Sequence, residues 1–274
     1  MGYPVQFYSW KTKKVQHHVE VTSLENWLDS QLRIHQLTEM TAAKWLSTPQ
    51  QHLLQITAGA VFHDDLSKLE EMRRQLSWYP HDVWLWMMAS QWHLIGNTQH
   101  LLGRTIEVPD LRGSSLIAYR LVRLIMELSF LQERQYWPYL KWFGTAFSRL
   151  HIVQTLGPIL DTVLKSGDYS IRENSINEAL KLLGNQHNSL GLTSAVTPEI
   201  ENFEVGINDA IRPYQVINAG DFVKACKNSI SDDSLKGIPL VGSIDQLTHA
   251  DDFLINFTNW PQRLEMLYQN DANF

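Results

Sequence analysis

The chain has 274 residues, 44% hydrophobic and 19% charged, a balance that suits one large or two small globular domains with a real core. Its formal net charge of −6 argues against a general nucleic-acid-binding surface, which needs a basic excess. Cys226 is the single cysteine, so no internal disulfide forms, and no apolar run reaches the roughly 20 residues that span a bilayer; the expectation is a soluble cytoplasmic protein without membrane contact.

Residues 3–10, YPVQFYSW, and 15–22, VQHHVEVT, alternate with a period of two and predict a β-hairpin around the polar turn KTKK. Ser23 then opens a helix in which Leu24, Trp27, Leu28 and Leu32 stand at helical spacing. Short helices follow over 41–47 and from Pro49, and AVFHDD reads as a short closing strand or a helix end. In LSKLEEMRRQLSWYP, Leu66, Leu69, Met72 and Leu76 share one helical face.

After Pro80 the pattern is helical almost throughout. HDVWLWMMASQWHLIG is long and apolar, residues 97–111 start a helix and pass into the loop EVPDLRG, and Ser114 caps the strongest helix, SSLIAYRLVRLIMELSFLQERQ. Pro138 interrupts before LKWFGTAFSRL, and Gly184 is placed to bend or break the long helix YSIRENSINEALKLLGNQHNSLGL. Beyond residue 195, TPEIENFEVGINDAIRPYQVIN reads as irregular, and AGDFVKACKNSI as the last clear helix. The fold class expected is α+β, predominantly α-helical: a short N-terminal β-hairpin, then a helical bundle. The division expected is residues 1–65 and 66–274. Most of the ten tryptophans read as core rings.

Five features could carry chemistry. Glu20 sits amid an alternating stretch, where a carboxylate either faces water or holds a metal; phosphoryl and nucleotidyl transfer use Mg²⁺ held by acids on adjacent strands. Arg120, Arg123, Glu127 and Arg134 fall at i, i+3, i+7 and i+14, a stripe that is either an exposed face or a cleft wall with phosphate-binding arginines and Glu127 as general base. Lys141, between Leu140 and Trp142, is either an exposed lysine or a phosphate contact with a stacking ring beside it. GSIDQLTHADD carries Gly-Ser and two adjacent aspartates, which point to opposite sides of a strand, so it reads as a turn and helix cap. His52, His63, Asp64 and Asp110 can be threaded onto the order of an HD-type metal-dependent phosphohydrolase, on the weak evidence of a His-Asp dipeptide. One cysteine cannot supply a usual zinc set, and no P-loop, G-x-G-x-x-G or G-x-S-x-G is present.

The stretches TAGAVFHDDLSKLEEMRRQLSWYPHDVWLWMMASQW, LIAYRLVRLIMELSFLQERQYWPYLKWFGTAFSRL and NQHNSLGLT resemble an uncharacterised bacterial family in which a helical domain of unknown function follows a nucleotidyltransferase-like domain. The resemblance runs from about Gly2 to GSIDQ. It implies that HHVEV is the strand carrying the third metal-site carboxylate, Glu20, and that residues 1–65 are the end of the transferase-type sheet. More distantly, the helical part resembles the second domain of kanamycin-type aminoglycoside nucleotidyltransferases, which implies a domain that closes over the nucleotide and supplies a glutamate base, Glu127 by position; Arg120, Arg123 and Lys141, with Trp142 beside it, are the nucleotide contacts expected from the residues themselves. The family's Gly-Ser turn and Asp-x-Asp pair do not precede Glu20, so the chain is expected to be a C-terminal portion or degenerate copy, inactive alone, and an enzyme only with that missing motif. The implied cofactors are Mg²⁺ and a nucleoside triphosphate substrate, with an unknown small-molecule or protein acceptor. The alternatives from the residues themselves are a non-catalytic binding or antitoxin-like module and the HD-type hydrolase.

Overall fold

Prolines and capping side chains divide the chain into its elements. The computed structural model describes residues 6–17, 19–207, 210–256 and 258–269, in two compact units, Met1–Glu39 and Met40–Phe274. The boundary expected at 65/66 falls inside the larger unit.

In the smaller unit, β1 (Gln6–Ser9) and β2 (Lys14–His17) pair antiparallel from Gln6↔His17 to Ser9↔Lys14. Lys13 takes a left-handed φ of 52° in the turn. Helix α1 (Leu24–Leu32) is capped by Ser23, whose Oγ accepts from Asn26 N at 3.2 Å, and it stops at Arg33 in the αL conformation. The strands are shorter than the alternation suggested, and residues 3–5 and 18 of that reading lie outside the described residues. Glu20 is beyond β2, in an exposed non-strand segment. The reading of Glu20 as a mid-strand carboxylate is therefore corrected: the pairing has ended three residues earlier, at His17.

The larger unit begins with α2 (Ala42–Ser47), α3 (Gln50–Thr57) and α4 (Lys68–Gln75). AVFHDD is neither strand nor helix; α3 ends at Thr57 and Phe62 is 98% exposed. The core is α5 (His81–Glu107) along α6 (Leu111–Gln132), with Trp84, Trp86 and Trp92 on α5 fully buried. Two of their ring N–H groups find close partners: Trp84 Nε1 donates to Leu131 O at 2.8 Å and Trp92 Nε1 to His187 Nδ1 at 3.2 Å.

Around this pair lie α7 (Leu140–Phe147), α8 (Val153–Lys165) and α9 (Tyr169–Ser189). Then come β3 (Ile200–Glu204), β4 (Ile211–Ile217), α10 (Ala219–Ser229), α11 (Asp233–Lys236), α12 (Ile244–Thr248), α13 (Asp252–Asn256), α14 (Trp260–Leu264) and a closing 3-10 turn, Glu265–Tyr268. The class is α+β and predominantly helical. Among the described residues, no helix is long and apolar enough to cross a membrane.

Three sequence expectations change. Residues 97–107 are not a new helix but the continuation of α5, because its glycines serve close packing: a Cβ on Gly96 would lie 3.1 Å from Ala219 Cβ, and one on Gly103 would lie 2.1 Å from the Tyr214 ring. Gly184 likewise neither bends nor breaks α9; it admits Pro198 and Phe222. The segment past 195 is a hairpin, not irregular chain. Its Pro213 is tolerated because β3 and β4 form a two-stranded sheet whose register shifts between Asn202 and Glu204, opposite the proline.

Candidate functional site

Helix α6 positions the arginines. Asp110 caps it, accepting from Gly113 N at 2.8 Å, one residue before Leu111. The cap expected at Ser114 is displaced into the helix, where the buried Ser114 Oγ accepts from Arg172 Nη1 at 3.0 Å. Because Leu121, Leu124, Ile125 and Leu128 are buried, residues 120, 123 and 127 ride the border between core and solvent, with Arg120 exposed and Glu127 inside.

Arg123 Nε donates to Glu127 Oε1 at 2.9 Å, and the pair is asymmetric: the Arg123 side chain is 20% exposed, the Glu127 side chain 1%. Glu127 Oε2 accepts from Gln91 Nε2 at 3.1 Å. Burial raises the Glu127 pKa, opposed by the Arg123 charge and by the hydrogen bonds from Arg123 and Gln91. Arg123 Nη2 donates to His249 O at 2.6 Å and the guanidinium carbon lies 5.1 Å from the Phe143 ring centre. Nη1 has no partner among the described residues.

Behind this pair runs a buried polar chain that no sequence pattern announced. Gln246 Nε2 donates to Gln91 Oε1 at 2.5 Å, while Gln246 Oε1 accepts from Ser243 N at 2.7 Å. Asp245 Oδ2 accepts from Gln50 N at 2.7 Å, holding α12 against the start of α3, and Gln50 Oε1 accepts from Trp137 N at 3.2 Å. Asp245 Oδ1 and Gln50 Nε2 are buried without a partner among the described residues. Burial, reinforced by the charge of Glu127, pushes the Asp245 carboxyl up to about 7 against the opposing hydrogen bond from Gln50.

The other candidates are placed as follows. Lys141 is exposed, with Nζ 5.1 Å from the centre of the Trp142 ring. It lies two residues before Phe143, the ring under Arg123. Arg134 leaves the stripe: α6 has ended, φ is 53°, and its guanidinium sits 4.5 Å from the Trp84 ring centre. GSIDQ is a turn and helix start, as its spacing suggested, with Ser243 at the cap of α12. His52, His63, Asp64 and Asp110 are not brought together. His52 bonds Asn256 at 2.6 Å, His63 pairs with Asp65 at 3.1 Å, Asp64 accepts from Glu70 N at 2.9 Å, and Asp110 is a cap. Among the described residues, no three His, Cys, Asp or Glu side chains group as a metal site.

Residues 45–143 match the family profile of a domain of unknown function, DUF4037. The match takes in Gln50, Gln91, Arg120, Arg123, Glu127, Lys141 and Trp142 and leaves Asp245, Gln246 and His249 outside. The two halves of the polar chain thus come from the matched segment and from the chain beyond it. No curated protein and no solved structure matches the chain.

Proposed function

We propose that the larger unit is a phosphate-binding helical module of a nucleotidyltransferase-like protein, holding a nucleoside triphosphate through Arg120, Arg123 and Lys141, with Trp142 beside it for the base. The observation that carries this reading is the state of Arg123. A buried carboxylate and a backbone carbonyl fix the guanidinium, and Nη1 is left over on a partly exposed side chain. A guanidinium fixed in this way meets phosphate oxygens with little further loss of side-chain freedom. Arg120, one turn earlier, doubles the charge on the same border.

Glu127 has a different part in this reading from that of a general base. Both oxygens are engaged and the side chain is buried, so it orients Arg123 and takes no proton from an acceptor. This favours binding without turnover by the chain itself, the second reading that the sequence allowed. Nor does the donor set fit Mg²⁺ on its own: Glu20 is one exposed carboxylate, and a two-metal site needs several acids. An acceptor, small molecule or protein, would be served by the transferase-type domain.

The test is calorimetric titration of ATP and of GTP, with and without Mg²⁺, into the chain and into its Arg120→Ala and Lys141→Ala variants. Both side chains are exposed, so the substitutions leave the core intact. Each is expected to weaken binding about tenfold or more, the scale of a lost charge-assisted hydrogen bond. A folded chain that binds neither nucleotide, or variants that bind as well as the parent, would overturn the proposal.

A further inference from the structure

We propose that His249 completes the anion site of Arg120 and Arg123, so that the site takes a dianionic phosphoryl group more tightly when the imidazole carries a proton. The inference rests on the reading of this face as a phosphate site and adds a residue and a mode of regulation to it.

The placement comes from the turn after α12. His249 and Ala250 both hold left-handed φ, 54° and 53°, a region that His, like Asn and Asp, enters more readily than most L-residues. The backbone N–H groups of His249 and Ala250 both donate to Asp245 O, the latter at 3.0 Å, Asp251 N donates to Thr248 O at 3.2 Å, and His249 O accepts from Arg123 Nη2 at 2.6 Å. Ala250 is buried, and the His249 side chain is left exposed beside the arginine border of α6. Its backbone carbonyl thus anchors Arg123 while its ring stands free to meet a ligand of Arg123.

The electrostatics agree. Burial first, then the charges of Arg123 and Arg120, push the His249 pKa below its usual value. The 2.6 Å bond from Arg123 Nη2 to the His249 carbonyl sets the guanidinium beside the residue that carries the imidazole. An anion lying between them reverses the sign of the field at the ring and raises its proton affinity. By linkage the anion then binds more tightly as pH falls.

Around the turn, Arg120 and Arg123 come from α6, with Glu127 buried behind Arg123. Asp245 lies below on the same segment, and the exposed Asp251 accepts from Leu254 N at 3.0 Å. From α5 and α3, the neutral Gln91 and Gln50 bond Gln246 and Asp245 of α12, and His52 bonds Asn256 of α13. Glu265 of the closing 3-10 turn lies 3.6 Å from Lys44.

The probe is sulfate, which stays a dianion across the range where imidazole titrates, whereas phosphate does not. Its affinity is measured by NMR at about pH 5.5 and pH 7.5, alongside the pH titration of the His249 ring resonances with and without sulfate. The proposal expects saturating sulfate to raise the His249 pKa by about one unit and, reciprocally, to bind up to about tenfold more tightly at the lower pH. The His249→Asn variant keeps the carbonyl that anchors Arg123 and suits the left-handed backbone. It is expected to bind with the parent's affinity at the higher pH and to lose the gain at the lower. Binding that Arg120→Ala weakens, but that is independent of pH and of His249→Asn, would overturn the role of His249 and leave the phosphate site standing. No sulfate binding at either pH would overturn both.

Discussion

At the scale of single residues, the Arg123–Glu127 pair decides how the site is read. A buried ion pair is weak evidence of stability, but breaking it by removing one partner is costly, because the other charge is left in a poor solvent. Arg123→Ala would leave Glu127 with only the Gln91 amide. The expected loss is about 3 kcal/mol at pH 8, the low end for a broken buried pair. Burial already raises the Glu127 pKa, and without the Arg123 charge the strongest opposing influence is gone. A carboxyl with a raised folded-state pKa binds its proton more readily folded than unfolded, so the penalty shrinks as pH falls. Urea unfolding at pH 8 and pH 5 checks this. Glu127→Gln keeps an oxygen that can accept from Arg123 Nε but turns an N–H donor towards Gln91 Nε2, and is expected to cost about 2 kcal/mol, less than Arg123→Ala. A loss below about 1 kcal/mol for Arg123→Ala at pH 8 would mean that Glu127 is solvated after all and open again to acid–base work.

At the scale of elements, the glycines distinguish a helix that only spans distance from one that receives a neighbour. Gly103 on α5 lies under Tyr214 of β4, whose ring stacks on Phe203 at 5.6 Å, and Phe203 stacks in turn on His100 of α5 at 4.7 Å. Gly103→Ala drives a methyl into that stack and is expected to cost about 2 kcal/mol, the scale of overpacking. Gly144→Ala on α7 meets nothing within 4 Å and is expected to stabilise by up to about 1 kcal/mol, the helix preference of alanine over glycine. Thermal melts of the two variants in parallel give opposite signs if α5 is held by the hairpin, and the same sign if the stack is incidental. These contacts also explain what the sequence conveyed. The apolar periodicity of α5, α6 and α9 and the serine cap of α1 were legible, because they are local properties. Gly184 looked like a breaker because its partner Phe222 is remote in the chain. The β3–β4 hairpin was hidden by Pro213, which this edge strand accommodates opposite its register shift. In the site, Arg123 and Glu127 could be paired by their i,i+4 spacing, whereas Gln50 and Asp245, separated by 195 residues, carry no common signal.

At the scale of the whole molecule, two buried titratable groups set opposing pH slopes. His187 bonds Trp92 and Thr193, and burial pushes its pKa from 6.5 down to about 4. The unfolded chain protonates this imidazole first, so the stability that His187 contributes is present above about 6.5 and lost as pH falls toward 4. Asp245 runs the other way. Its pKa is raised from 3.8 to about 7, so the folded chain protonates it first, and stability is lost as pH rises through 7. Between about 4 and 6.5 the two slopes, each about 1.4 kcal/mol per pH unit, cancel. The raised Glu127 adds to the Asp245 side, and the lowered His249 to the His187 side. The parent is therefore expected to show a nearly flat stability profile in that window, from compensation and not from an absence of buried charge. Asp245→Asn removes one slope. It is expected to stabilise the protein relative to the parent above pH 7, by an amount on the order of 4 kcal/mol, and to lose that advantage toward pH 4. His187→Gln removes the other slope, and this variant should become more stable as pH falls through the same window. Denaturant unfolding of the three proteins at four pH values separates slope from baseline, so the packing cost of either substitution does not obscure the result. If Asp245→Asn keeps the flat profile of the parent, the carboxyl is ionised in the folded chain throughout, and the α12 segment is held to the α3 start by a true carboxylate.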